Sequence, residues 1–335
     1  MSTAAGTARP TDEVSPLWVV LNPKAREYTR ARQALERRCR TLGLGTPRVL
    51  TTTSDDPGAG QAHEALASGA RTVIVGGGDG TVREVAEALA GSGVEMGILP
   101  LGTANLFAYN LGLRTRLVRV AIQRALTPGP TPVDVGWASW RVMEGTRMAA
   151  AARERVFLVM AGVGHDAATV METGEQVKAR LGWIAYLAAG TRRLRARPLA
   201  MRISTDMTPA RRILTWTVIV ANCGQIPAGV SVVAAASPHD GLLDTMEVPI
   251  DSPRQWAGVV AKGLMPRLAD PVALRYRRAR TVWVVPDHPT PLHLDGDPMG
   301  TVADLRVRVQ PGALLVRRGR PTASTGLSAE SQSRP

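Results

Sequence analysis

The run Val73-Ile-Val-Gly-Gly-Gly-Asp-Gly-Thr81 joins three β-branched residues to a glycine loop carrying one carboxylate, Asp79, and one hydroxyl, Thr81. Glycines let the backbone turn with its N–H groups bare, which is how a chain cradles an anion. Apolar residues at 82, 85, 86 and 89 predict a helix over Val82–Ala90, directly behind the loop. Negative charge is favoured at such a helix start, so the segment carries phosphate-site chemistry. It is not a P-loop, since no Gly-Lys-Ser/Thr closes it, and the Gly-x-Gly-x-x-Gly spacing fails at Thr81. Two further turns bear carboxylates, Asp240-Gly241 and Asp295-Gly296-Asp297, and each is by default a hairpin signal.

The elements that must position these groups change character near residue 135. Before it, Leu17–Leu21, Arg48–Thr52 and Met96–Leu99 read as strands, while Thr29–Leu42, Ala59–Ala67 and a segment from Ala104 read as helices. This βαβα punctuation predicts a parallel sheet covered on both faces. From about Arg155 the pattern is mainly β: Val156–Val163, Ala200–Ser204, Ile213–Asn222, Val230–Ala235, Asp244–Val248, Thr281–Val285, Pro291–Leu294 and Leu305–Val309. Helical segments at Glu175–Arg195 and Pro253–Gly263 interrupt it. The expected organisation is a tail at 1–14, a nucleotide-binding catalytic domain at 15–135, a β-rich substrate and metal domain at 136–318, and a second tail at 319–335.

The chain has 335 residues, enough for two cores, and 44% hydrophobic content suits a globular protein. Its longest apolar runs fall far short of the roughly 18 residues that a membrane span needs. No apolar leader follows Met1, and the two cysteines, Cys39 and Cys223, suggest neither a disulfide framework nor a zinc site, so a cytoplasmic setting is expected. The formal charge of +13 favours an anionic partner. The sparse aromatics do not interleave with the basic clusters, so nucleic acid is not the expected one. Six basic residues between Lys178 and Arg197, with Leu181, Trp183, Ile184 and Leu187 at helical spacing, suggest peripheral contact with an anionic membrane. A homodimer is left open.

Four segments stand in one order: Asn22-Pro-Lys-Ala25, Gly77-Gly-Asp-Gly-Thr81, Leu99-Pro-Leu-Gly-Thr-Ala-Asn105, and Asp240-Gly-Leu-Leu-Asp244 followed by Leu294-Asp-Gly-Asp297. Together, over residues 17–318, they resemble the diacylglycerol-kinase catalytic-domain family, which includes soluble bacterial diacylglycerol kinases, phosphatidylglycerol-kinase-like proteins and sphingosine kinases. The resemblance implies a three-layer α/β nucleotide domain, a C-terminal β-sandwich domain and ATP in the cleft between them. It places Gly77, Gly78, Asp79, Gly80, Thr81, Val82 and Arg83 around the phosphates, with Asn22, Thr52, Gly102, Thr103 and Asn105 completing the site. It also implies a Mg2+ ion held by Asp240 and the carbonyls of Ser237 and Leu242, an oxygen-only set suited to a hard cation.

Asp295 or Asp297 would take the proton of a lipid hydroxyl, with Asp79 acting at the phosphates; the last position of this segment is Glu in the family and Asp here. A second departure is Leu106, where many members carry an Asp that links the metal to the glycine-loop aspartate; that network would rest on Asp79 and Asp134. Asp166 would shape the acceptor site, and His165 is expected to be structural. The implied activity is ATP-dependent phosphorylation of a diacylglycerol-like lipid. The alternatives are an NAD kinase, which shares the glycine-loop motif, and a non-catalytic nucleotide- or membrane-binding homologue.

Overall fold

All four residues of Trp18–Leu21 and all six of Thr72–Gly77 are buried, because a strand inside a parallel sheet loses both faces to helices. The computed structural model describes residues 16–115, 117–144, 147–172, 196–226, 230–249 and 274–319. Its elements run β1 (Trp18–Leu21), α1 (Tyr28–Thr41), β2 (Arg48–Thr51), α2 (Ala59–Ala67), β3 (Thr72–Gly77), α3 (Asp79–Leu89), β4 (Glu95–Pro100), α4 (Leu106–Asn110), α5 (Val118–Leu126) and β5 (Pro130–Arg141). A short hairpin, β6 (Met143–Glu144) and β7 (Arg147–Met148), precedes β8 (Arg153–Phe157), β9 (Met160–Gly164) and α6 (His165–Glu172). Then come β10 (Leu199–Thr205), β11 (Arg211–Thr215), β12 (Thr217–Ala221), β13 (Gln225–Ile226), β14 (Val230–Ser231) and β15 (Leu243–Glu247). The chain closes with β16 (Arg275–Ala279), β17 (Thr281–Pro286), β18 (Thr290–Leu294), β19 (Asp297–Val302) and β20 (Asp304–Arg317).

The first sheet has the order β11-β10-β17-β20-β4-β3-β1-β2, with β5 joined to β20 and β8. Its β2, β1, β3 and β4 are parallel. On one face α1 and α5 bury Leu35, Cys39, Ala121 and Ile122 against Val19, Leu21 and Ile74. On the other, α2 and α3 bury Ala62, Ala65, Val82 and Val85 against Val20, Val73 and Val75. These are the three layers of the α/β half. The second sheet, β16-β15-β12-β9-β18-β19, is antiparallel, and its Val163, Val220, Leu243 and Leu292 pack on Ala138, Phe157, Val282 and Val307 of the first. That pairing is the C-terminal β-sandwich. Residue 135 lies inside β5, and β20 returns to pair in parallel with β4 at Leu315–Arg317, so both ends of the later half are woven into the first sheet.

Several boundaries differ from the sequence pattern for identifiable reasons. The helix predicted from Val82 begins at Asp79, because extended Gly78 ends β3 and the loop itself forms the first helical turn. The single strand predicted over Val156–Val163 is broken into β8 and β9, in different sheets; the N–H groups of Leu158, Val159 and Met160 go to the Asp295 carboxylate instead. Ile213–Asn222 likewise splits at Trp216. Only Val230–Ser231 of the strand predicted to Ala235 pairs, since the N–H groups of Val232 and Val233 turn back to the Gly224 carbonyl. The strands β5, β16 and β19 and the helices α5 and α6 are not among the expected elements, although α5 buries Val118, Ala121, Ile122, Ala125 and Leu126 at helical spacing. The helices predicted at Pro253–Gly263 and Glu175–Arg195 lie outside the described residues, as do all but Arg197 of the basic residues expected to meet a membrane.

Candidate active site

The carboxyl ends of the parallel strands share one edge, where ligands bind in open α/β sheets. Asn22 follows β1, Thr52 follows β2, Gly77 ends β3 with Gly78 capping α3, and Gly102–Asn105 lie beyond β4. Asn22 Nδ2 donates to Thr81 Oγ1 at 3.2 Å, and Lys24 N–H donates to Asn22 Oδ1 at 2.9 Å. The two glycine segments touch backbone to backbone: a Cβ on Gly102 would stand 2.4 Å from the Gly78 Cα. Only glycine fits there. Asn105 adopts the left-handed conformation at φ 50°, which Asn tolerates well. Its side chain closes the loop by accepting from Gly102 N–H at 3.0 Å and donating to the Gly102 carbonyl at 2.7 Å. Thr52 is buried at this edge, and Thr103 is exposed.

Asp79 ties the two loops together. Its Oδ1 accepts from Leu106 N–H at 2.5 Å, with the amides of Phe107 and Asn105 also turned toward it. The backbone of Leu106 thus holds Asp79, whatever the family's side chain would do at that position. Asp79 keeps part of its surface open to solvent, yet desolvation and then the charge of Asp295 push its carboxyl up to about 6, against the pull of those amides.

The opposite wall comes from the β18–β19 hairpin. Asp295 and Gly296 both take positive φ, 51° and 80°, the backbone that a two-residue primed turn requires. Asp295 points inward: it is 7% exposed and accepts from the N–H groups of Leu158, Val159 and Met160 at 2.8–3.0 Å. Burial raises its carboxyl above the ordinary range, opposed by Arg83 and those amides. Asp297 points the other way, with a 37% exposed side chain, and its Oδ2 lies 3.7 Å from where a Cβ on Gly80 would sit. Arg83 Nη1 clamps the turn, 3.0 Å from the Leu294 carbonyl and 3.0 Å from Asp297 Oδ2. Arg83 thus ties the helix start to Asp297, and the Val82 side chain belongs to the core.

The 237–242 loop stands apart from the glycine loop. Asp240 Oδ1 accepts from Leu242 N–H at 3.1 Å, and its Oδ2 pairs with Arg278, whose Nε also reaches Asp244 at 3.5 Å. Asp134 fastens the loop, accepting from Gly241 and Gly312 N–H at 2.7 Å each. Asn222 then bridges the Asp134 and Leu158 carbonyls, so the path from this loop to Asp295 is indirect. The carbonyls of Ser237 and Leu242 accept no hydrogen bond among the described residues, and with Asp240 they form an all-oxygen donor set that suits a hard cation. No cluster of three or more metal-ligating side chains occurs among the described residues.

Arg83, expected around the phosphates, also pairs with Asp297. One group escaped the sequence reading: His293 meets Asp166 beneath the turn at 3.0 Å, and only its place two residues before Asp295 hinted at a role. His165 packs on Trp216 and bonds the Arg197 carbonyl, in keeping with a structural residue.

A glycine loop opening a helix thus stands across from a carboxylate hairpin, on an α/β layer fused to a β-sandwich. Residues 16–138 match the diacylglycerol kinase catalytic domain, and residues 158–318 match the YegS C-terminal NAD kinase beta sandwich-like domain. A Pseudomonas aeruginosa protein named probable lipid kinase YegS-like is 34% identical over 274 residues, covering 80% of this chain and 83% of its own. A Chromohalobacter salexigens protein of the same name is 30% identical over 319 residues, covering 92% and 95%. A solved diacylglycerol kinase from Bacillus anthracis shares the fold with a TM-score of 0.69 at 20% identity, covering 91% of this chain and 97% of that one. The chain belongs to the YegS-like lipid kinase family and is an enzyme of that class. Among the described residues no helix is long and apolar enough to cross a membrane.

Proposed function

We propose that the protein transfers the γ-phosphoryl group of ATP to the hydroxyl of a diacylglycerol-like lipid. The observation that carries this reading is the placement of Asp297, solvent-facing and clamped by Arg83, across from Gly80 at the start of α3. The amides of Gly78–Gly80, with Asn22, Thr81 and the Gly102–Asn105 loop, hold the phosphates at the helix start. Asp297 accepts the lipid hydroxyl proton as the hydroxyl oxygen bonds to the γ-phosphorus and the bond to the ADP oxygen breaks. Asp295, with both carboxylate oxygens occupied by amides, anchors the turn instead of taking the proton. Asp240 and the carbonyls of Ser237 and Leu242 would hold Mg2+, which when bound supplies positive charge to the site.

The lipid acceptor lies in a membrane, and the α1/α5 face suits an anionic one. Arg30, Arg37, Arg38 and Arg119 line a groove of about 440 Å³ between these helices, with Val118 and Ile122 at its floor. Arg37, Arg38 and Arg119 form no ion pair among the described residues, which leaves their charge for lipid phosphates.

The deciding experiment incubates the protein and labelled ATP with vesicles containing diacylglycerol, phosphatidylglycerol or a long-chain base, and separately with NAD. Phosphorylated lipid that depends on Asp297 is the expected product. Phosphorylated NAD alone would overturn the acceptor assignment, and ATP binding without any transfer would overturn the catalytic one.

A further inference from the structure

The strand leading into the carboxylate turn is irregular at one place. Register between β18 and β19 shifts at Leu292/His293, and such a bulge re-aims the side chain that follows it. His293, 5% exposed, turns into the sandwich with Nε2 3.0 Å from Asp166 Oδ2, while its Nδ1 accepts from Gly296 N–H at 3.2 Å. Thr217 Oγ1 donates to Asp166 Oδ1 at 2.5 Å, sharing its hydrogen with the Val163 carbonyl. The pair crosses β9 over Gly162, where a Cβ would stand 2.1 Å from Asp166 Oδ2 and 2.3 Å from His293 Nε2. Partners fix the ring's protons: an ionised carboxylate only accepts, so Nε2 carries hydrogen, and a backbone N–H only donates, so Nδ1 is bare.

We propose that Asp166 and His293 are positioning residues for Asp297. The carboxylate holds the imidazole in its Nε2–H tautomer, and the bare Nδ1 pins Gly296, the central residue of the Asp295–Gly296–Asp297 turn. Arg83 grips the same turn from the glycine-loop side, so Asp297 is set from both flanks. The inference rests on Asp297 being the proton acceptor.

Asp166→Asn is close to isosteric and reverses the logic. With Thr217 donating to the amide oxygen, the new NH2 points at Nε2 and drives the ring proton onto Nδ1, where it opposes the Gly296 N–H. Misplacing a reacting group by about 1 Å costs on the order of 10²-fold. The expected result is kcat lowered by about 10- to 100-fold with KM for ATP within about twofold, and a switch of the His293 tautomer in 15N imidazole spectra. His293→Leu should lose as much, and His293→Asn, whose side-chain oxygen can accept near the Nδ1 position, should recover part of the loss. Wild-type kcat in Asp166→Asn, or no advantage of His293→Asn over His293→Leu, would overturn the positioning role even if melting temperatures fall. A wild-type protein that phosphorylates no acceptor overturns the kinase reading and this inference with it; an active wild type with unaffected variants overturns this inference alone.

Discussion

The chain makes two Asp-Gly turns with opposite fates. At Asp295-Gly296 the carboxylate is drawn into the protein and saturated by the amides of Leu158, Val159 and Met160, at the point where the chain passes from one sheet to the other. At Asp240-Gly241 the carboxylate stays near the surface, holding among the described residues the Leu242 amide and the partly exposed Arg278. The first turn is a fixed wall that leaves Asp297 facing the cleft. The second has a side-chain partner that solvent or an ion can displace. The same dipeptide gives a framework in one place and an exchangeable site in the other, and what decides is whether nearby backbone has lost its own ladder partners.

The largest expected effect separates the two aspartates of the first turn. Asp297→Asn should lower turnover by roughly 10²–10⁴-fold, the loss typical of a missing general base, while urea denaturation shows a smaller stability loss than that of Asp295→Ala, since Asn keeps an oxygen for Arg83. Asp295→Ala should show the reverse weighting, because three amides lose their acceptor at once. Buried unsatisfied donors cost about 1–3 kcal/mol each, partly relieved by water, so a stability loss of about 3 kcal/mol or more is expected in the same denaturation series. If Asp297→Asn unfolds early while Asp295→Ala only slows turnover, the roles are exchanged.

Local pattern was enough for some of this and not for the rest. Val73-Ile-Val followed by glycines foretold β3 and its loop, since burial on both faces and a helix start are local properties. The periodicity of α1 and α2 was legible to within a residue for the same reason. What the residues could not reveal is where a carboxylate sends its oxygens: Asp295 and Asp297 look equivalent in sequence, and only contacts 135–137 residues away pull one of them inward. Nor could periodicity show that Val156–Val163 is cut in two, because the break is imposed by that same distant aspartate.

Asp79 provides a pH handle on the loop that the Asp295–Asp297 turn faces. Its carboxyl sits at about 6 in the folded protein against an ordinary 3.8, so between those values the folded chain holds more proton than the unfolded one. The stabilisation is complete below the unfolded value and is lost as pH rises through the folded one. Wild-type stability minus that of Asp79→Asn should therefore fall between about pH 4 and pH 7 in parallel denaturant titrations. A difference that rises over this range would place the amides of Asn105–Phe107, and not desolvation, in control of the group.

The smallest effect expected concerns the exchangeable turn. Arg278 bridges Asp240 and Asp244; burial holds the Asp244 carboxyl above its ordinary value, against the pull of that arginine. A divalent cation at Asp240 must compete with the same guanidinium. Arg278→Gln removes the competitor and leaves the oxygen donors in place, so Mg2+ should bind more tightly, by about two- to fivefold, the factor that an exposed ion pair of about 0.5–1 kcal/mol carries. Calorimetric titration of the nucleotide-free protein measures this without any turnover, with Asp240→Asn as the variant that should abolish the signal. Equal Mg2+ affinity in wild type and Arg278→Gln would mean that the cation does not use the carboxylate oxygen held by Arg278. An unchanged signal in Asp240→Asn would move the metal off this turn and leave Asp240 and Arg278 as a surface ion pair.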